Sequence, residues 1–250
     1  MISRRYWGAI TQCLPLEWKG ITLTPVRVRD KDALMENCVV LTIMQQTLPV
    51  EFVSMSYLRV LYQMDNSTES GSLGKLRKTL FLCSGIGADD INFCFRGEAL
   101  FMDMGGVMVS EHEFINLRAI IAEQNLIKLP REQHNMELVD ARRDMEASEK
   151  DTVTGGFENE LYFVANNSHL TLEQCYGMTI REFYKRLQSM TNQINNEQAS
   201  AVGAGMSHWK NGNPYPSPVY PPKESYNHLV TEDEMAQRKK GMGAGTPEII

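Results

Sequence analysis

The sequence predicts an α+β fold: a mainly helical body over residues 1–198 with a small antiparallel sheet, followed by an extended Pro/Gly-rich C-terminal arm over residues 199–250. Three observations support this prediction. Apolar residues recur at the three- and four-residue spacing of helices through most of the body. The period changes to two near residues 90–109, which predicts a β-meander. The arm holds six of the ten prolines and six of the eighteen glycines, a composition that cannot build a core of its own.

Sequence patterns in the first third of the body predict one strand and two helices. Residues 20–28 alternate apolar and polar side chains, and Pro25 confines this strand to a sheet edge or a bulge. Asp30 offers an N-cap to a helix predicted over residues 31–46. Pro49 separates it from a second helix, predicted over residues 50–64 with Phe52, Met55, Leu58 and Leu61 or Tyr62 on its inner face.

Sequence patterns in the middle of the body predict a helix, then the meander, then another helix. Apolar residues at helical spacing predict a helix over residues 73–83, which Gly85 ends. The meander follows within residues 90–109. Ser110 and Glu113 then form a capping-box pattern, which predicts that a helix begins there.

Further helices are predicted after residue 130. A highly charged helix over residues 135–149 has a thin apolar stripe, and a glycine pair separates it from a helix over residues 157–165. Two capping-box patterns, Thr171 with Gln174 and Thr179 with Glu182, predict a short helix and then a longer one to about residue 196. The most economical interpretation of this pair is an αα-hairpin.

The hairpin sequence resembles a known family. The run Asn167-Ser-His-Leu-Thr-Leu-Glu-Gln-Cys-Tyr-Gly-Met-Thr-Ile-Arg-Glu-Phe-Tyr-Lys-Arg-Leu187 is similar to late morphogenesis proteins of tailed bacteriophages, including tail-assembly chaperones. The shared pattern is a Met178-Thr179 cap with Phe183 four residues on. The similarity extends over about residues 110–209, including a Gly-x-Gly-Met-Ser-His-Trp segment.

This resemblance implies a non-enzymatic role in the virion, tail or baseplate, or in their assembly. The implied partners are other phage structural proteins, in a homo- or hetero-oligomer, and the implied location is the virion or the host cytoplasm. A transient chaperone absent from the mature virion is an alternative, although the Pro-rich tail after Trp209 departs from that pattern.

A second alternative is a helix-turn-helix DNA-binding regulator. The helical spacing places Arg181, Lys185 and Arg186 on the outer face of the longer helix, where they could contact phosphates. The net charge of −6 lies on the body, which argues against a broad nucleic-acid-binding face.

Catalytic, cofactor and metal sites are not indicated by any local motif. The five cysteines lack C-x-x-C spacing and are expected to be free, buried thiols. The glycines near Gly85 lack the Lys-Ser/Thr of a phosphate-binding loop. We therefore expect no enzyme, no cofactor and no metal; an enzyme with a dispersed site around His112, His134 or His169 remains a third alternative.

The arm is the predicted partner-binding segment. Residues 213–222 alternate proline with tyrosine, valine or serine, which favours polyproline II. Such a segment either lies along a neighbouring subunit or is a disordered linker. No run of the sequence is apolar enough to predict a membrane helix or a signal peptide. The predicted partner-binding residues are Tyr215, Val219, Tyr220, Trp209, Phe183 and Arg186.

Overall fold

The computed structural model describes residues 3–68, 70–130 and 156–205. The described chain is mixed α+β, with a two-stranded and a three-stranded antiparallel sheet among helices. Contacts divide the chain into two units, Met1–Leu187 and Gln188–Ile250. The predicted helix over residues 135–149 lies outside the described residues.

The chain begins with a helix and a hairpin that the sequence patterns did not predict. Helix α1 (Arg4–Thr11) precedes strands β1 (Leu16–Trp18) and β2 (Ile21–Leu23), which pair antiparallel. Both residues of the connecting turn, Lys19 and Gly20, have positive φ angles of 52° and 83°, as a two-residue hairpin of the favoured hand requires. The predicted strand over residues 20–28 is therefore real but short, and its partner strand lies before it.

Helix α2 (Lys31–Asn37) is shorter than predicted and continues as a 3₁₀ turn at Cys38–Leu41. Asp30 occupies the predicted N-cap position, but its side chain makes no capping hydrogen bond. Buried side chains from elsewhere bind the carbonyls at the end of this segment: Tyr57 donates to Val40, and Arg118 donates to Leu41. These tertiary partners satisfy carbonyls that further helix would otherwise bind.

The helix predicted over residues 50–64 is two helices. Helix α3 (Val50–Val53) is a single turn, and helix α4 (Tyr57–Thr68) begins after a break. Helix α5 (Ser72–Ser84) matches its prediction, with four buried residues on the expected stripe: Leu73, Leu76, Leu80 and Cys83. Gly85 ends it in the left-handed conformation, with φ of 71°.

The predicted meander is present as strands β3 (Ile91–Arg96), β4 (Ala99–Met104) and β5 (Val107–Ser110). They form one antiparallel sheet in the order β3-β4-β5. Strand β5 leads directly into helix α6 (Glu111–Gln124), and the capping box of Ser110 and Glu113 is complete. This sheet packs with α4, α5 and α6 around the main hydrophobic core.

Three further helices follow: α7 (Phe157–Ser168), α8 (Leu172–Gly177) and α9 (Ile180–Gly205). The capping box of Thr171 and Gln174 is complete. Helix α9 continues past the predicted boundary at residue 198, so residues 199–205 are helical rather than the start of an extended arm. The remainder of the arm, residues 206–250, lies outside the described residues.

A second, smaller core lies between α7, α8 and the first turns of α9. The segment after β2 joins this core to the rest of the first unit by main-chain hydrogen bonds. The Val28 N–H donates to the Met178 carbonyl at 2.8 Å, and the Ile180 N–H donates to the Val26 carbonyl at 2.9 Å. The last residues of the predicted strand over residues 20–28 therefore pair with the α8–α9 turn rather than within a sheet.

Candidate interaction surface

Two of the three histidines considered for a dispersed catalytic site lie in the described residues. His112 and His169 both lie exposed on the surface, and His134 is outside the described residues. In the described ranges, no group of three or more His, Cys, Asp or Glu side chains is arranged to hold a metal ion.

The five cysteines are free thiols, and three of them are buried: Cys38, Cys83 and Cys175. Cys13 and Cys94 are half-buried, so the prediction of buried thiols is wrong for these two. Burial raises the pKa of the Cys83 thiol to about 12 and also raises the pKa values of Cys38 and Cys175. These three thiols are protonated at neutral pH and are therefore poor nucleophiles.

Phe183, predicted to bind a partner, is instead a core residue. Its side chain is 0% exposed, and its ring makes edge contacts with Phe157 and Tyr184 at centroid distances of 5.8 and 5.3 Å. The helical period of this segment places Phe183 on the face that packs against α7 and α8. The prediction of Phe183 as a contact residue is wrong because that face is buried within this chain.

The basic residues predicted for DNA binding do not share one exposed face. Arg181 is only 8% exposed; its guanidinium donates to the backbone carbonyl of Glu123 and lies 3.0 Å from the Glu123 carboxylate. Arg186 is half-exposed and lies 3.5 Å from the carboxylate of Glu182, one turn earlier. Lys185 is exposed. The predicted outward position of Arg181 is therefore wrong.

The other predicted partner-binding residues are in the arm. Trp209, Tyr215, Val219 and Tyr220 lie outside the described residues. The structure does, however, present an apolar surface on the first unit that the sequence patterns did not identify.

This surface is formed by residues 42–56, here called the apolar loop. Every residue of the loop is half-buried or exposed, and Glu51 carries its only charge. Val50 is 88% exposed, and Val53 is also exposed. Val50 and Val53 are three residues apart in α3 and so lie on one face of that turn, and an exposed apolar face is a candidate interaction site. The large apolar residues of the loop are Ile43, Met44, Leu48, Val50, Phe52, Val53 and Met55.

The base of the apolar loop is held by two buried side chains. The Tyr57 hydroxyl donates to the Val40 carbonyl at 2.8 Å and accepts from the Ile43 N–H at 3.0 Å. The Arg118 guanidinium stacks on the Tyr57 ring at 3.6 Å and donates from Nε to the Leu41 carbonyl. Hydrogen bonds to buried side chains therefore hold the ends of the apolar loop against the core.

Within the loop, Gln45 holds the two halves together. Its side-chain amide donates to the carbonyls of Phe52 and Met55, at 3.4 and 3.0 Å. A compact surface loop packed by its own side chains is an Ω-loop, a frequent carrier of function. Its apolar side chains are thus presented on a folded segment rather than on a free chain.

A signal for this surface exists in the sequence. Residues 37–50 contain no charged residue, in a chain that is 22% charged. Helical periodicity alone assigned Phe52 and Met55 to the inner face of a longer helix. The break at residues 54–56 removes that face, and both side chains are only half-buried.

Comparisons of the chain with protein-family models, with curated proteins and with solved structures found no match. None of the helices in the described ranges combines the length and apolarity needed to cross a membrane.

Proposed function

We propose that this protein is a non-enzymatic component of bacteriophage tail morphogenesis, either in the virion or in its assembly, that acts through protein–protein contacts. The observation that carries the proposal is the apolar loop. It exposes valine side chains on a segment whose base is fixed by buried hydrogen bonds, and burying such side chains against a partner is favourable by about 25 cal/mol per Å².

The phage context of the proposal rests on the resemblance of residues 167–187. That run corresponds to α8 and the first two turns of α9, so its Met178-Thr179 cap lies where the two helices join. Its apolar residues pack in the smaller core. The resemblance therefore supports a helical hairpin shared with those proteins, rather than a contact surface shared with them.

The DNA-binding alternative needs Arg181 on an exposed face, but Arg181 is engaged with Glu123. The choice between a virion component and a transient chaperone depends on whether the protein remains in the particle. Quantitative mass spectrometry of purified tails and particles tests this: a structural component is present at a fixed stoichiometry, whereas a chaperone is absent from particles but present in assembly intermediates.

The contact surface is tested by affinity purification of the full chain from cells that produce late phage proteins. A Val50→Glu/Val53→Glu double variant is expected to lose the late proteins that the parent chain retains. The matched control is Ile115→Glu, because Ile115 is an aliphatic residue of α6 that is also exposed. If the parent chain retains no late protein and appears in no particle or intermediate, the proposal is wrong.

A further inference from the structure

We propose that the apolar loop is the docking site for residues 211–222 of the arm of a second copy of this chain. This inference rests on the proposed function, since it names the partner of the apolar loop within an assembly. It is carried by the composition of both segments, by the charges beside them, and by the length of chain that follows the described residues.

Each of the two segments contains an uncharged run. Residues 37–50, which lead from α2 through the first part of the apolar loop, contain no charged residue, and neither do residues 211–222. Moving a charged side chain from water to an apolar contact is costly unless it is paired. A match between these two uncharged runs avoids that cost, while Glu51, next to Val50, is exposed and keeps its contact with water or a partner charge.

The charges that flank the two segments are opposite in sign. Glu36 and Glu51 border the uncharged run on the body, and both are exposed. Lys210 and Lys223 border the uncharged run in the arm, and Glu224 follows directly after Lys223. Charges at the rim of an interface set register and orientation more than affinity.

The proline content of the arm suits an apolar docking surface. Five of the residues in 211–222 are proline, namely Pro214, Pro216, Pro218, Pro221 and Pro222. Proline has no backbone N–H, so docking this segment buries fewer unsatisfied donors than docking an ordinary extended chain. Tyr215, Tyr220 and Val219 supply the apolar surface that would pack against Val50, Phe52 and Val53.

The chain continues for residues 206–250 after the described part of α9. Along the sequence, the uncharged run begins soon after the last described residue of α9, and residues 223–250 follow it. In an assembly of copies, each chain therefore offers one donor segment and one acceptor loop. Repeated use of this pair links each copy to the next.

Photocrosslinking of the purified full-length protein tests the inference. Tyr220→p-benzoylphenylalanine places the probe in the arm, and isotopically light and heavy copies are mixed before irradiation. Residues 32–59 contain no internal lysine and one arginine, at the end, so trypsin releases the whole apolar loop as a single peptide. The expected result is a light–heavy crosslink between the arm and this peptide.

Two sets of variants examine the proposed contacts. Val50→Glu/Val53→Glu is expected to reduce the light–heavy crosslink by on the order of tenfold, whereas Ile115→Glu leaves it unchanged. Glu51→Lys adds a trypsin site within the loop peptide, so its crosslinks are summed over residues 32–51 and 52–59. The summed yield should fall by about two- to fivefold, as expected for a rim ion pair. Combining Glu51→Lys with Lys223→Glu should restore most of the yield.

Three results would overturn the inference: crosslinks confined to one isotope, which mean that the arm docks on its own chain; crosslinks to other peptides of the second copy; and no crosslink at any concentration. Because purified protein is used, the inference can fail while the protein is still found in particles. In that case the proposed function stands and only the partner of the apolar loop is wrong.

Discussion

Glu113 has two structural tasks. Its carboxylate accepts from the Ser110 N–H at 2.9 Å, which completes the capping box of α6, and it lies 2.6 Å from the Lys19 ammonium in the hairpin turn. The hydrogen bond from Lys19, followed by that from the Ser110 backbone, lowers the pKa of Glu113 to about 2. One carboxylate therefore connects the start of α6 to the β1–β2 turn.

We expect this carboxylate to contribute to acid stability. Because its pKa is lowered on folding, its contribution is fully present above the unfolded pKa of about 4.3 and is lost as the pH falls towards about 2. Glu113→Gln should flatten the dependence of the free energy of unfolding on pH in this window. Lys19 and Glu113 are both partly exposed, so the change should be below about 1 kcal/mol at neutral pH.

Urea unfolding at several pH values measures this effect. Glu98→Gln, at another exposed carboxylate, serves as the control and should leave the pH profile unchanged. An identical profile for the Glu113 variant would show that the ion pair with Lys19 contributes nothing to folding.

Phe183 is expected to affect stability rather than binding. Phe183→Ala removes a fully buried ring that packs between Phe157 and Tyr184, and should lower the free energy of unfolding by about 3–5 kcal/mol. Tyr162→Ala, at an exposed aromatic of α7, should change it by less than about 0.5 kcal/mol. Denaturant unfolding monitored by circular dichroism compares the two; equal effects would contradict the buried position of Phe183.

At the scale of elements, local sequence signals predicted helix starts well where a capping box supplied them. Ser110 with Glu113, and Thr171 with Gln174, both form the reciprocal hydrogen bonds that their spacing indicated. Thr179 accepts from the Glu182 N–H, as the third pattern predicted. Asp30 lies at the N-cap of α2 as predicted, but its side chain makes no hydrogen bond to the first turn. A single capping residue is a weaker signal than a reciprocal pair.

The Thr171 cap is therefore a testable element. Thr171→Ala should destabilise the smaller core by about 1 kcal/mol, since the N–H of Gln174 loses its acceptor. Thr171→Ser keeps the hydroxyl and should have a much smaller effect. Thermal unfolding of both variants measures the difference, and equal midpoints would show that the cap is not needed to hold α8.

The apolar loop was not predicted, for a physical reason. Helical periodicity reports which side chains could share a face, but it does not report whether a helix continues between them. The chain breaks at residues 54–56, where the Gln45 amide binds the Met55 carbonyl. Before the loop, Tyr57 and Arg118 bind the carbonyls at the end of the preceding helical segment. These bonds join residues far apart in sequence, so no local pattern contains them.

We expect Tyr57→Phe to loosen the apolar loop while leaving the rest of the fold intact. The change removes the hydroxyl that binds the Val40 carbonyl and the Ile43 N–H, and should cost about 1–3 kcal/mol locally. Hydrogen exchange should accelerate at Ile43 and its neighbours in the apolar loop, but not in α5, whose backbone bonds are within the helix. Unchanged exchange in the loop would mean that its base is held by other contacts.

At the scale of the whole molecule, the first unit and the arm should respond differently to truncation. A chain ending at residue 205 retains every core residue that lies in the described ranges, so its thermal midpoint should match that of the full chain. Removal of the arm is expected to abolish self-association, measured by sedimentation velocity across a concentration series. A truncated chain that associates as strongly as the full one would place the contact elsewhere.

Composition and local patterns determined the mixed class of this protein, the meander near residues 90–109, the stripe of α5 and the capping boxes, because each depends on residues close together in sequence. Tertiary structure decided where Phe183 and Arg181 lie, where α2 ends, and which apolar residues remain exposed at residues 42–56. Those outcomes depend on partners such as Phe157, Glu123 and Arg118. Burial is a property of the packed molecule, so a single segment's sequence can indicate an apolar face but not which neighbour will cover it.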